Sequence, residues 1–135
     1  MILAAPFSFM QAEGGMVVSK KVLIVEDEKD VAALIAGVLD LEGYQPEMAI
    51  GETAMDRVRS FGPDVVLLDL MMPVVDGFEV ARRLHASPET ARIPIVVMTA
   101  MHDAPTRAAE IGAARFLAKP FDIDDLLKCI EEATA

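Results

Sequence analysis

The chain of 135 residues is 53% apolar and 25% charged, the balance of one globular domain that buries roughly two-thirds of its unfolded surface without disulfide or metal staples. Its net charge of −10 repels phosphate backbones and argues against nucleic-acid binding by this domain, and no apolar run approaches the roughly 18 residues of a membrane span. Cys129 is the only cysteine, which excludes a disulfide framework within the chain and fits a reducing cytoplasm.

Residues 1–19 read as an N-terminal extension to a single domain at 20–135. Residues 1–10 are apolar but interrupted by Pro6, and they lack a basic start and a small-x-small cleavage site, so they do not read as a signal peptide. Residues 11–15 are polar and end in Gly14-Gly15, like a linker. Met16 opens a segment, MVVSKKVLIVEDE, that would serve as a start on its own.

From there the chain alternates. Val22-Leu23-Ile24-Val25 is a β-branched apolar run ending at Glu26-Asp27; Val65-Val66-Leu67-Leu68 ends at Asp69; residues 93–98 end at Thr99. Runs of this kind predict strands buried on both faces, as in a parallel sheet. Two weaker strands are predicted at 45–49 and 114–117. Between them lie helix patterns. In residues 30–41, Val31, Leu34, Ile35, Val38 and Leu41 recur at helical spacing, and Gly43 stands where a C-terminal cap belongs. Residues 53–61 carry Ala54, Met55 and Val58 before Gly62-Pro63 stops them. Residues 78–85 follow the turn Asp76-Gly77, and residues 108–111 belong to a short helix ending at Gly112. Residues 123–132 form the last helix, with Leu126, Leu127 and Ile130 inward, Asp122 as N-cap and Asp125 three positions on. Strand followed by helix, five times over, predicts an α/β doubly wound, five-stranded parallel sheet with helices on both faces. Ligand sites in such sheets lie beyond the carboxyl ends of the strands.

The chemically capable residues all stand just past strand ends. Glu26 and Asp27 follow the first strand, Asp69 ends the third, Thr99 the fourth and Lys119 the fifth. Carboxylates in close contact raise each other's pKa unless a cation neutralises them, and a hard divalent cation with oxygen ligands does so: Mg2+, or Mn2+ in its place. A lysine ammonium and a hydroxyl are what a phosphoryl group would need around it, and carboxylates are established covalent carriers of phosphoryl groups. Taken singly, each residue is commonly structural: a helix cap, a solvated loop position, a turn before Pro120. Acid after strands one and three, hydroxyl after strand four and lysine after strand five together carry the reading.

The segments VLIVEDE, DVVLLDLMMPVVDG, IPIVVMTA and FLAKPF resemble the receiver domain of bacterial two-component response regulators, and the resemblance runs from about Lys20 to the end. It implies the flavodoxin-like strand order 2-1-3-4-5 and a set of roles. Asp69 matches the phosphoacceptor, Asp27 the acid that binds the metal directly, Glu26 its partner acting through water, and Met71 the residue whose backbone carbonyl completes the metal site. Thr99 matches the hydroxyl that turns toward the phosphoryl group and Lys119 the lysine that pairs with it. Phe116 matches the aromatic that swings inward on activation, although a plain core aromatic is equally consistent with its position. Ala100 is small, as the family prefers, and Pro73 and Gly77 match the loop leaving the third strand. The implied function is a single-domain phosphorelay switch. It accepts a phosphoryl group from a sensor histidine kinase or histidine phosphotransfer protein and signals by protein contact with a downstream partner or a second copy. It acts in the cytoplasm and is not an enzyme in its own right beyond Mg2+-dependent acceptance and slow loss of the phosphoryl group.

Thr99 and Lys119 are 20 positions apart, somewhat closer than is usual in the family, which predicts a shortened fourth helix or approach to it, with Pro105 in its first turn. Ile2, Leu3, Phe7 and Phe9 are then expected to cover apolar surface near that helix or on a second chain. Met71 and Met101 would flank the phosphoryl group; neither positions a water, so slow self-dephosphorylation is expected. His85 and His102 are expected at the surface, and Cys129 as a small buried hydrophobe. Two other readings exist. An aspartyl phosphatase of the haloacid-dehalogenase kind would want a second aspartate at position 71, which is methionine. A phosphate-independent docking module would not need the complete set of acids, hydroxyl and lysine.

Overall fold

The computed structural model describes residues 19–100 and 104–135. Residues 1–18 of the extension, with Ile2, Leu3, Phe7 and Phe9, lie outside the described residues, as do Met101 and His102. Five strands, β1 (Lys21–Val25), β2 (Gln45–Ala49), β3 (Val65–Asp69), β4 (Ile95–Thr99) and β5 (Arg115–Ala118), pair in parallel in the order β2-β1-β3-β4-β5. They alternate with helices α1 (Lys29–Leu41), α2 (Ala54–Phe61), α3 (Gly77–Ala86), α4 (Ala104–Glu110) and α5 (Ile123–Ala133), and a 3-10 turn (Gly51–Thr53) precedes α2.

The central strands β1, β3 and β4 are buried almost throughout because each face of the sheet meets helices. Leu23, Val25, Val66, Leu68, Ile95 and Val97 pack on one face against Ala54 and Val58 of α2 and Val80, Ala81 and Leu84 of α3. Val22, Ile24, Val65, Leu67, Val96 and Met98 pack on the other against Ile35 and Leu39 of α1 and Leu126 and Ile130 of α5. Burying a side chain of this size contributes about 1.5–3 kcal/mol, so the two clusters supply most of the drive to fold.

Local signals set the helix ends. The Asp76 carboxylate accepts the Glu79 N–H at 2.9 Å, and the Asp122 carboxylate accepts the Asp125 N–H at 2.9 Å, so both helices start where an acid can cap them. After α1, Gly43 at φ 91° donates to the Asp40 carbonyl while the Tyr44 N–H returns to the Leu39 carbonyl, the paired closure that favours glycine.

Three expectations need correction. Of the residues at helical spacing in α1, Ile35 is buried, but Leu34 and Leu41 are 69% and 73% exposed, and Ala32 and Leu39 complete the buried face. The helix is apolar on nearly every side, so its period alone did not choose the face. β4 begins at Ile95 and not at 93, because Pro94 has no N–H to give the ladder and offers only its carbonyl, which accepts from Val66. Cys129 is half-buried against the α5 cluster, not fully enclosed. As expected, α4 is short, at seven residues, with Pro105 in its first turn, and His85 is exposed.

Candidate functional site

The strand order reverses between β1 and β3, so their carboxyl ends open into the crevice where sheets of this type hold ligands. Val25 pairs with Leu68, which sets Glu26 and Asp69 side by side one step beyond. Met98 pairs with Asp69 and Thr99 with Ala118, so Thr99 and Lys119 lie on the same rim. The Lys119 N–H donates to the Thr99 carbonyl at 2.8 Å, which fastens the end of β5 to the end of β4.

Glu26, Asp69 and Thr99 are buried polar residues at the carboxyl end of the sheet. The Lys119 ammonium reaches across the end of β4 to donate to Glu26 Oε1 at 3.1 Å and stands 3.5 Å from Asp69 Oδ2. Asp69 Oδ1 accepts the backbone N–H of Met71 at 3.0 Å, and Glu26 Oε2 accepts that of Glu28 at 3.2 Å. Burial pushes the Asp69 carboxyl up to about 6, and the charge and contact of Glu26 add to the rise, against the opposing pull of the Met71 amide and of Lys119. Burial pulls Lys119 downward, but its hydrogen bond to Glu26 and the charges of both acids leave it above its ordinary value.

The sequence-predicted residues therefore divide. Glu26, Asp69 and Lys119 are in mutual contact, with Thr99 buried beside them on the rim. Met71 contributes its backbone to Asp69 and leaves its side chain 61% exposed. Asp27 joins neither Lys119 nor Asp69 but is held by the turn after β2: its Oδ1 accepts the Gly51 N–H at 2.9 Å. Among the described residues no three acids, histidines or cysteines are closed into a metal cage. Phe116 is 41% exposed at the rim of the sheet, so it is not a core aromatic in this conformation. Two buried carboxylates sharing one ammonium leave an excess negative charge among hard oxygen donors, and a small divalent cation fits that deficit.

Two glycines give the rim its close backbone approaches, with no side chain of their own to signal it. A Cβ on Gly77 would lie 2.4 Å from the Asp69 carbonyl oxygen and 2.7 Å from Leu70 Cα, so α3 begins pressed against the backbone at Asp69. A Cβ on Gly51 would lie 2.8 Å from the Val75 carbonyl oxygen. The only sequence signal for Gly51 is a glycine just past a strand end, which is too common to single it out.

A family model described as the response regulator receiver domain matches residues 22–131. The chain is 36% identical over 115 residues to the sporulation initiation phosphotransferase F of Bacillus subtilis, covering 84% of this chain and 93% of that protein. It is also 36% identical over 110 residues to a phosphate regulon transcriptional regulatory protein of Rhizobium meliloti, spanning 79% of this chain and 48% of that longer relative. Among solved structures it resembles a signal receiver domain from Bermanella marisrubri at 35% identity and a TM-score of 0.80, covering 87% of this chain and 100% of that one. It also resembles the chemotaxis protein CheY4 of Vibrio cholerae at 28% identity and a TM-score of 0.80, covering 86% and 99%. The rim of acids, hydroxyl and lysine on this sheet and these likenesses agree: the chain belongs to the response regulator receiver domains of two-component phosphorelay signalling.

Proposed function

We propose that Asp69 is the phosphoacceptor of this receiver, that residues 20–135 form the switch, and that residues 1–19 extend it. The observation that carries the reading is the buried contact of Asp69 with Lys119 and Glu26 at the crevice. The donor is a phosphohistidine of a sensor histidine kinase or histidine phosphotransfer protein. An Asp69 carboxylate oxygen attacks phosphorus; the phosphorus–nitrogen bond breaks, and the imidazole nitrogen keeps the electron pair, leaving an acyl phosphate. Lys119 then trades its 3.5 Å approach to Asp69 for a phosphoryl oxygen, and Thr99 supplies a hydroxyl to another. Asp27 and Asp69, the Met71 carbonyl and, through water, Glu26 would hold Mg2+. The cation would offset charge on the transferring oxygens.

Receiver domains are signalling proteins and not classical enzymes. No helix among the described residues is long and apolar enough to cross a membrane. In this reading the protein acts in the cytoplasm, and its output is contact with a downstream protein or a second copy. Incubation with a small acyl phosphate and Mg2+ tests the acceptor: a phosphorus resonance of an aspartyl phosphate in the wild type, absent in Asp69→Asn and suppressed by a chelator, supports it. Labelling that persists in Asp69→Asn contradicts it.

A further inference from the structure

We infer that Gly51 is a positioning residue for the metal site: its backbone N–H orients Asp27, and its missing side chain lets it do so. The inference rests on the reading of Asp27 as a metal ligand and adds what holds that ligand.

The 3-10 turn Gly51–Thr53 begins one residue after β2, and its first amide has no acceptor within the turn. That N–H points instead across the rim and donates to Asp27 Oδ1 at 2.9 Å, 24 positions earlier in the chain. A carboxylate has two oxygens and about four acceptor sites, so this bond fixes the plane of Asp27 and leaves Oδ2 for a cation. Ligating carboxylates are commonly held in this way by a hydrogen bond from outside the coordination sphere.

The position also demands glycine for space. Gly51 is buried, and its φ lies outside the left-handed region, so conformation is not the reason. A Cβ would sit 2.8 Å from the Val75 carbonyl oxygen and 3.3 Å from Val75 Cβ and Met72 Cε. The nearest obstacle is backbone of the loop between β3 and α3, the same loop whose Met71 N–H holds Asp69. An added methyl must therefore move either the turn, and with it the N–H on Asp27, or the loop beside the acceptor. Gly51 thus ties one carboxylate of the rim to the backbone that orients another.

The test titrates Mg2+ into the full chain by amide NMR for wild type, Gly51→Ala, Asp27→Ala and the double variant, with unfolding midpoints in chelator as the check on folding. Gly51→Ala is expected to weaken Mg2+ binding about 10- to 100-fold, as loss of an outer hydrogen bond to a ligand does. In the Asp27→Ala background the same change is expected to add less than about two-fold, because the residue it acts through is gone. Unchanged or tighter Mg2+ binding in Gly51→Ala overturns the inference, as does an equal loss in both backgrounds. An Asp27→Ala variant that binds Mg2+ like the wild type overturns the reading of Asp27 itself, and this inference with it. Should Gly51→Ala fail to fold, exchange of the Gly51 amide decides. Protection kept on Mg2+ loading and lost in Asp27→Ala supports the inference; protection lost on loading overturns it.

Discussion

Replacing Asp69 with asparagine should stabilise the metal-free protein. The Asp69 carboxyl moves from an ordinary 3.8 to about 6 on folding, chiefly because burial penalises its charge. Between those values the folded chain binds more protons than the unfolded one, so this group makes stability fall as pH rises through the window, and the deficit persists above it. A displacement of about 2 on the pH scale corresponds to roughly 3 kcal/mol at neutral pH. Asparagine cannot ionise, keeps an oxygen for the Met71 N–H, and leaves Lys119 its bond to Glu26. In chelator near pH 7.5, Asp69→Asn should therefore gain about 2–3 kcal/mol, a rise in Tm of roughly 8–12 °C for a domain of this size. Near pH 4 the gap should close. Urea or thermal unfolding of both proteins across that range reports on Asp69 together with the neighbours Glu26 and Lys119 that its charge acts on. Mg2+ should narrow the gap at neutral pH, since binding stabilises the wild type by mass action. A variant no more stable than the wild type at neutral pH in chelator would refute the claim that Asp69 is held in the fold at a cost.

Three further outcomes follow from the same contacts. Lys119→Met leaves Glu26 and Asp69 without their shared cation and should cost about 2–4 kcal/mol near neutral pH, less than a fully buried pair because Lys119 is partly exposed. Urea unfolding should show most of that loss recovered near pH 5 or with Mg2+; an equal loss at both pH values contradicts it. Gly77→Ala drives a methyl into the Asp69 carbonyl oxygen and should lower stability by about 3 kcal/mol, and an unchanged denaturation midpoint would remove the steric argument. Met71 offers no polar atom to hold an attacking water, so the acyl phosphate should decay slowly and Met71→Asn should shorten its half-life; a wild-type half-life of seconds in Mg2+ contradicts this.

The three central strands were legible because burial on both faces leaves continuous apolar runs, as in VLIV and VVLLD, which few other structures produce. The caps at Asp122 and Gly43 were legible because each supplies a specific atom or dihedral that a helix end lacks. The inward face of α1 was not, since Ala32, Leu34, Leu39 and Leu41 fit more than one stripe and only the neighbouring sheet selects between them. At the site, residue types and their places past strand ends pointed to Glu26, Asp69, Thr99 and Lys119, and register then brought them to one rim. The turning of Asp27 toward Gly51 had no sequence signal, because it depends on an amide from a different crossover. The exposure of Phe116 depends on which side of β5 meets α5, which its sequence of four residues does not declare.

The central claim is that Asp69 is a working phosphoryl acceptor whose rim responds as a unit. Its most direct test is addition of beryllofluoride with Mg2+, followed by amide NMR, with Asp69→Asn as control. Shifts at Asp69, Thr99, Ala100 and Lys119 that require Mg2+, spread toward Phe116 and α5, and vanish in the variant are the predicted result. A spectrum unchanged by beryllofluoride, in a protein that also fails to bind Mg2+, would contradict the claim and leave a docking module that carries a receiver's residues without using them.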